Sequence, residues 1–157
     1  MSSTVFKIER GEFGLSLTDP GVPVADAVLS AYTDYSCSVL SGAVTADQQT
    51  ETDDIPATFC DAASSTLIPQ TSEFTLTVSI LQDPQLVAGI SQFCFDNDAT
   101  RCWFYLGLAE GSAPKAIGTF YISAIDFGGD AKVVLTADAE WPIDGKPEIE
   151  FGTTPDA

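Results

Sequence analysis

The chain has 157 residues and a mass of 16.6 kDa, which fits one domain that buries a core without disulfide or metal support. Its 23 acidic side chains outnumber 6 basic ones, so the net charge is −17, and residues 11–100 contain no basic side chain at all. A surface with this field repels phosphate, which excludes nucleic acid and anionic membranes as ligands held by basic side chains. The sequence has no histidine, and so it lacks the commonest general base and metal ligand.

The first part of the chain gives irregular signals. Residues 1–33 predict an N-terminal arm and first strands, with weak strand character at 6–17, and residues 37–44 favour another strand. Charges near the start occupy the place of a signal peptide's apolar stretch, so we expect a protein that is made in the cytoplasm.

Residues 45–56 are polar and carry four acids. They predict a structureless loop of about a dozen residues, a length that is uncommon in a compact domain unless the loop has a function. The candidate functional residues of this loop are Asp47, Gln48, Gln49, Glu51, Asp53 and Asp54.

The clearest strand lies at residues 72–82, where apolar and hydroxyl side chains alternate. Its polar face carries three hydroxyl side chains, Thr75, Thr77 and Ser79. After this strand, Asp83 and Pro84 predict the start of a helix of about three turns. Asn97 predicts the end of that helix in the left-handed conformation.

Strands then resume. Residues 101–108 predict a strand that is covered on both faces, while residues 115–127 and 131–141 predict a hairpin around Gly128-Gly129-Asp130. In the last strand one face is apolar, so the other must meet water. That polar face carries Lys132, Thr136, Asp138 and Glu140. Prolines and a glycine within 142–147 are expected to end the sheet and leave a short acidic tail at 142–157.

The predicted fold class is mainly β: a β-sandwich or partial barrel with one flanking α-helix, formed by residues 1–157 as a single domain. Four cysteines stand at 37, 60, 94 and 102, with no C-x-x-C pair among them. Without a secretory signal, we expect Cys37, Cys60, Cys94 and Cys102 to be reduced, buried thiols. Their spacing lacks the close pairs of a zinc site, so we expect no metal and no cofactor.

No catalytic site assembles from the residues. A serine or cysteine nucleophile needs a neighbouring base, and neither a histidine nor a suitably placed lysine is present. Glycoside hydrolysis uses a pair of carboxylates, but with 23 acidic residues in the chain the sequence does not single out any particular pair. We therefore expect a protein that is not an enzyme.

Several segments, in their order and spacing, resemble the major tail (tail tube) proteins of long-tailed bacteriophages with non-contractile tails. The similarity covers residues 34–147, and its segments are 34–39, 55–60, 72–83 with the following helix, 120–129 and 141–147. The last of these, Trp-Pro-Ile-Asp-Gly-Lys-Pro, is the most telling.

This resemblance implies a sandwich or partial barrel of the tail tube type and a structural role in the virion. Subunits of that family form hexameric rings that stack into a hollow tube, and each subunit gives about four strands to an inner barrel. Viral DNA passes through without specific binding, and the partners are the tape measure, tail terminator and tail-tip proteins. The chain would be assembled in the host bacterial cytoplasm, reside in the virion tail and bind no membrane.

Within such a tube, the regular strand at 131–141 is expected to belong to the channel wall, where acids repel phosphate. The residues expected to line the lumen are Asp138, Glu140, Thr136, Thr75, Thr77 and Ser79. The polar loop at 45–56 is expected to order against a neighbouring ring.

Two other functions remain open. One is a tail terminator or head–tail connector, which forms a single ring. The other is an isolated acidic β-sandwich that acts as a binding module, in which the acids serve only solubility.

Overall fold

The computed structural model describes residue 8 and residues 10–85, 87–109 and 112–152. These residues form a mainly β structure of three antiparallel sheets and one α-helix, α1 (Ile90–Asp96). In chain order the strands are β1 (Glu12–Ser16), β2 (Thr33–Asp34), β3 (Val39–Asp47), β4 (Glu51–Ile55), β5 (Ser64–Ile68), β6 (Glu73–Leu81), β7 (Arg101–Ala109), β8 (Ser112–Tyr121), β9 (Thr136–Pro142) and β10 (Glu148–Glu150). Three one-turn 3₁₀ helices lie at Val24–Asp26, Leu29–Ala31 and Ser36–Ser38.

Two sheets form the body of the molecule and share one core. The five-stranded sheet has the order β10-β8-β7-β1-β2, and the three-stranded sheet has the order β3-β6-β9. Buried side chains from both sheets and from α1 make a single apolar cluster between them. A smaller cluster on the far side of the five-stranded sheet packs under the first two 3₁₀ turns. The expectation of a mainly β fold with a flanking helix is therefore confirmed.

Alternation along β6 fixes the core of the three-stranded sheet, as the sequence predicts. Leu76, Val78 and Ile80 are fully buried. Directly opposite them in β9 lie Trp141, Ala139 and Ala137, which are also buried. Because side chains alternate between faces, every second residue of both strands must point away from this core.

Trp141 joins the two sheets. Its ring stacks on Phe120 of β8 at a centroid distance of 4.9 Å and an interplanar angle of 22°. Its indole N–H donates a hydrogen bond of 3.2 Å to the carbonyl of Ser123. The largest buried side chain of the core is thus held by stacking and by a satisfied polar group.

The helix starts later than predicted. Its N-cap residue is Gly89, so the N-cap predicted at Asp83 is wrong. Asp83 still contacts the first turn: its Oδ1 accepts the Ser91 N–H at 3.2 Å, and its N–H donates to Ser91 Oγ at 3.3 Å. The intervening residues 84, 85, 87 and 88 lie in turns, and Leu86 is outside the described residues. At the other end Asn97 caps with φ −112°, so the predicted left-handed conformation is wrong there; Ala99 adopts it instead.

The predicted hairpin at 128–130 is wrong. β8 pairs with β7 and β10, whereas β9 pairs with β6 over seven residue pairs, and residues 122–135 connect the two sheets. The side chain of Gln82 holds this connection: its Nε2 donates to the carbonyls of Gly128 and Thr136, and its Oε1 accepts the Gly128 N–H. Lys132 lies in a turn before β9, outside the polar sheet face to which it was assigned. The matching apolar faces of β6 and β9 outweigh the local turn signal.

β9 ends at Pro142, as predicted, but the segment after it is not the free tail that was expected. Ile143 bridges to Phe120, and β10 adds an edge strand to β8. Lys115 anchors this region, because its Nζ donates to two carbonyls of the first 3₁₀ turn and lies 3.7 Å from a carboxylate oxygen of Glu150. The N-terminal strand is shorter than the predicted 6–17, and residues 1–7 and 153–157 lie outside the described residues.

Replacing Trp141 with alanine should lower the free energy of unfolding by about 3–5 kcal/mol, because it removes a buried ring and leaves a cavity between the sheets. Phe151→Ala is the matched control: this ring is exposed, and its removal should change stability by less than about 0.5 kcal/mol. Urea titration of both variants measures the difference, and equal effects would contradict the role given to Trp141.

Candidate functional site

The six residues predicted to line a channel lie together on one face of the three-stranded sheet. Ser79 is directly opposite Asp138, Thr77 is opposite Glu140, and Leu81 is opposite Thr136. Thr75, Thr77 and Ser79 are half-buried, and the three residues on β9 are exposed. The grouping follows from the register, since the residues between them point into the core. We call this surface the acidic sheet face.

The acidic sheet face extends further than the sequence analysis predicted. Asp47, at the end of β3, lies directly opposite Glu73 at the start of β6, and both continue the outward rows of their strands. Like charges directly opposite one another are unfavourable in an isolated sheet. With Asp138 and Glu140 the face carries four acids, and none of the strand residues that form it is basic. Glu73 was missed although its spacing from Thr75 gives the signal.

Both edges of this sheet are free in the described part of the chain. β3 and β9 each pair with β6 alone within the sheet, which leaves strands of nine and seven residues at its margins. Unpaired edges of this length are able to pair with another chain. The sheet has three strands, fewer than the expected four, because the strand at 112–121 belongs to the other sheet.

The prediction of a structureless loop at 45–56 is wrong. Residues 45–47 complete β3, so Asp47 belongs to the three-stranded sheet, and Gln48 and Gln49 lie in a short connection after it. Glu51, Asp53 and Asp54 lie in β4, which pairs with β5. β4 and β5 form a separate two-stranded sheet, which irregular connections at 48–50 and 69–72 join to β3 and β6. Every residue from 45 to 73 is exposed. We call residues 48–72 the projecting hairpin.

The tip of the projecting hairpin is an ordered turn. The Thr58 N–H donates to the carbonyl of Asp61 at 2.8 Å, and Thr58 Oγ1 accepts the N–H groups of Cys60 and Asp61. Phe59 lies inside this turn and is fully exposed. The turn therefore presents an aromatic side chain to solvent, and the sequence analysis did not single it out.

The four cysteines divide into two pairs, whereas all four were expected to be buried. Cys94 and Cys102 are buried in the core, and Cys37 and Cys60 are exposed, on a 3₁₀ turn and on the tip of the projecting hairpin. All four are free thiols. Burial raises the pKa of Cys94 and of Cys102 from 9.0 to about 12, so both thiols stay protonated at neutral pH. Protonated buried thiols are poor nucleophiles.

Within the described ranges no group of three or more Cys, Asp or Glu side chains is placed to hold a metal ion. No helix in the part of the chain that the structure describes has the length and apolar character needed to cross a membrane. Neither a scan against models of known protein families nor a search of curated proteins found a match.

Thiol labelling tests the division of the cysteines. With the folded protein at pH 8, a maleimide should modify Cys37 and Cys60 and leave Cys94 and Cys102 unmodified; unfolding in denaturant should expose all four. Intact-mass measurement counts the labels, and the Cys37→Ser variant should lose one of the two native labels. Four labels on the folded protein, or a Cys37–Cys60 disulfide, would contradict this assignment.

Proposed function

We propose that this chain is a structural subunit of a bacteriophage tail tube, in which hexameric rings stack into a channel for viral DNA. One observation carries the proposal: the acidic sheet face lies on a sheet whose two outer strand edges have no strand partner among the described residues. Pairing β3 of one copy with β9 of the next would continue the sheet around a ring and remove both edges. The acidic faces of all copies would then form one wall.

Strand geometry is compatible with such a channel. Six copies of a three-stranded sheet give 18 strands, which at ~4.8 Å spacing and ~40° tilt close into a barrel about 36 Å across at the backbone. Side chains of ~5 Å on each wall leave a lumen near 26 Å, and a duplex roughly 20 Å across passes through it.

Charge supports the same arrangement. Asp138 and Glu140 of six copies would place twelve carboxylates in each ring, and no basic strand residue of the face would hold a phosphate. DNA would be repelled evenly from the wall and would slide without binding.

The partners follow from the proposed role: the same chain in rings and stacks, and the tape measure, terminator and tail-tip proteins of a virion tail. Electron microscopy of the purified protein over a range of concentrations tests the proposal. Tubes with a central channel are expected; single rings would indicate a terminator or connector, and persistent monomers a binding module.

Replacing Asp138 with lysine changes each ring by about twelve charge units and gives passing phosphates a binding point. Tubes should still assemble, because substitution of a water-facing side chain seldom costs more than ~0.5 kcal/mol, while DNA delivery by virions should slow. Asp26→Lys is the matched control: it makes the same charge change on an exposed residue of the first 3₁₀ turn, beyond the five-stranded sheet. Equal delivery rates in the two variants, or a tube structure with Asp138 outside the channel, would contradict the placement.

Removing the projecting hairpin tests whether it joins rings. Asp47 and Glu73 are direct neighbours across the sheet, so a four-residue turn in place of residues 48–72 closes the chain without disturbing the body. The shortened protein should keep its melting temperature within a few degrees and form rings that no longer stack. Calorimetry and electron microscopy measure these two properties, and normal tubes from the shortened chain would show that the hairpin is not needed.

A further inference from the structure

An exposed apolar surface lies where α1 meets the connection between β8 and β9. Val87, Phe95 and Phe127 are each at least 75% exposed and, with Ile125, line an open pocket of about 480 Å³. Both charged residues in its lining, Asp83 and Asp126, are acidic. We call this surface the end pocket. Exposed apolar side chains concentrated in one concave place are typical of an interaction site.

The end pocket and the base of the projecting hairpin lie at opposite ends of the same sheet. The projecting hairpin leads into the first residue of β6, Glu73, while Asp83 of the end pocket follows two residues after the last, Leu81. Nine strand residues separate these ends by roughly 30 Å, and Phe59 stands at the tip of the hairpin that leaves the sheet at the end opposite the pocket. One molecule thus has an aromatic projection at one end and an apolar cavity at the other.

The two acidic residues of the end pocket disfavour the entry of other acidic parts of the chain. Most exposed segments of the chain would be repelled by Asp83 and Asp126. The hairpin tip would not be repelled, because residues 55–60 carry no charge and the whole stretch 55–72 contains a single acid, Asp61. Residues 27–33 and 35–46 are also uncharged, but their aromatic side chains, Tyr32 and Tyr35, are buried, whereas Phe59 is fully exposed. A pocket volume of about 480 Å³ lies in the range that takes small organic groups, which includes a phenyl ring.

We propose that Phe59 of one copy inserts into the end pocket of a second copy, so that copies join head to tail. The inference rests on the proposed tube, and it names the two surfaces through which its rings would stack. A heterologous contact of this kind does not close on itself, and repetition of it builds an open stack.

The contact area explains why rings, and not isolated pairs, are expected. An aromatic side chain buries about 150–250 Å², so one such insertion together with its pocket falls well short of the ~1,200 Å² of a stable interface. Six insertions between two rings act together, and their combined strength then exceeds that of any one of them.

Cross-linking tests the contact directly, because Cys60 lies beside Phe59 on the tip turn. In a Cys37→Ser background, Cys60 is the sole exposed thiol. Val87→Cys then adds a second thiol in the end pocket, and Val28→Cys adds one at an exposed position elsewhere as the control. A short bis-maleimide joins two thiols by addition to its two double bonds, without any oxidant.

Assembled protein carrying Val87→Cys should give a ladder of dimers, trimers and larger species on a denaturing gel. Each copy then has one thiol on the hairpin tip and one in the end pocket, so it can be linked to two neighbours. The background should stop at dimers, and Val28→Cys should give no ladder. Tubes that form without a ladder would overturn this contact and leave the proposed function intact. Complete absence of self-association would overturn both.

A second variant measures the strength of the contact. Phe59→Ala should raise the protein concentration needed for tube formation at least ~10-fold, because each contact loses a buried aromatic ring. Phe151→Ala removes an exposed ring outside both surfaces and should leave that concentration unchanged. Equal thresholds for the two variants would overturn the role of Phe59.

Discussion

The strict alternation of side chains along β6 is the constraint on which the rest of the structure depends. Leu76, Val78 and Ile80 fill the core, and the residues between them are forced to the opposite face. A slip of one residue against β9 would bring Thr77 into the core and Val78 into water, so the register is firmly specified. The acidic sheet face is therefore a by-product of core formation: its position cannot shift unless the core is rebuilt.

Period-two patterns of the sequence predict strands well where one face is buried. The strands at 72–82 and 101–108 are found almost as predicted, as β6 and β7. The partner of a strand is a different question, because pairing depends on long-range fit between faces. Gly128-Gly129-Asp130 has the composition of a tight turn, yet the side chain of Gln82, 46 residues away in sequence, holds that backbone in an open connection. No local pattern contains this information.

The candidate site divides in the same way. Alternation along each strand is enough to predict which residues of β6 and β9 point outward. That the two sets lie on the same face depends on how the strands pair, which the sequence pattern does not show. The projecting hairpin was not predicted because β4 and β5 are exposed on both faces, so neither carries the apolar alternation by which strands are recognised. Cys60 is exposed because it lies in the tip turn of that hairpin, so its exposure could not be predicted without the hairpin. Asp83 was predicted as the N-cap residue, but that residue is Gly89; the carboxylate of Asp83 accepts a hydrogen bond from Ser91, eight residues downstream, a contact that no local pattern reveals.

The connections at 48–50 and 69–72 have a mechanical consequence. They interrupt the ladder of backbone hydrogen bonds between the body and the projecting hairpin, and no buried side chain stiffens them. Bending is easiest where a chain has the fewest restraints. If hairpins bridge successive rings, each junction contains six such joints, which extend on the outer side of a curve and shorten on the inner side. A tube built in this way would be rigid within each ring and would bend at the junctions between rings.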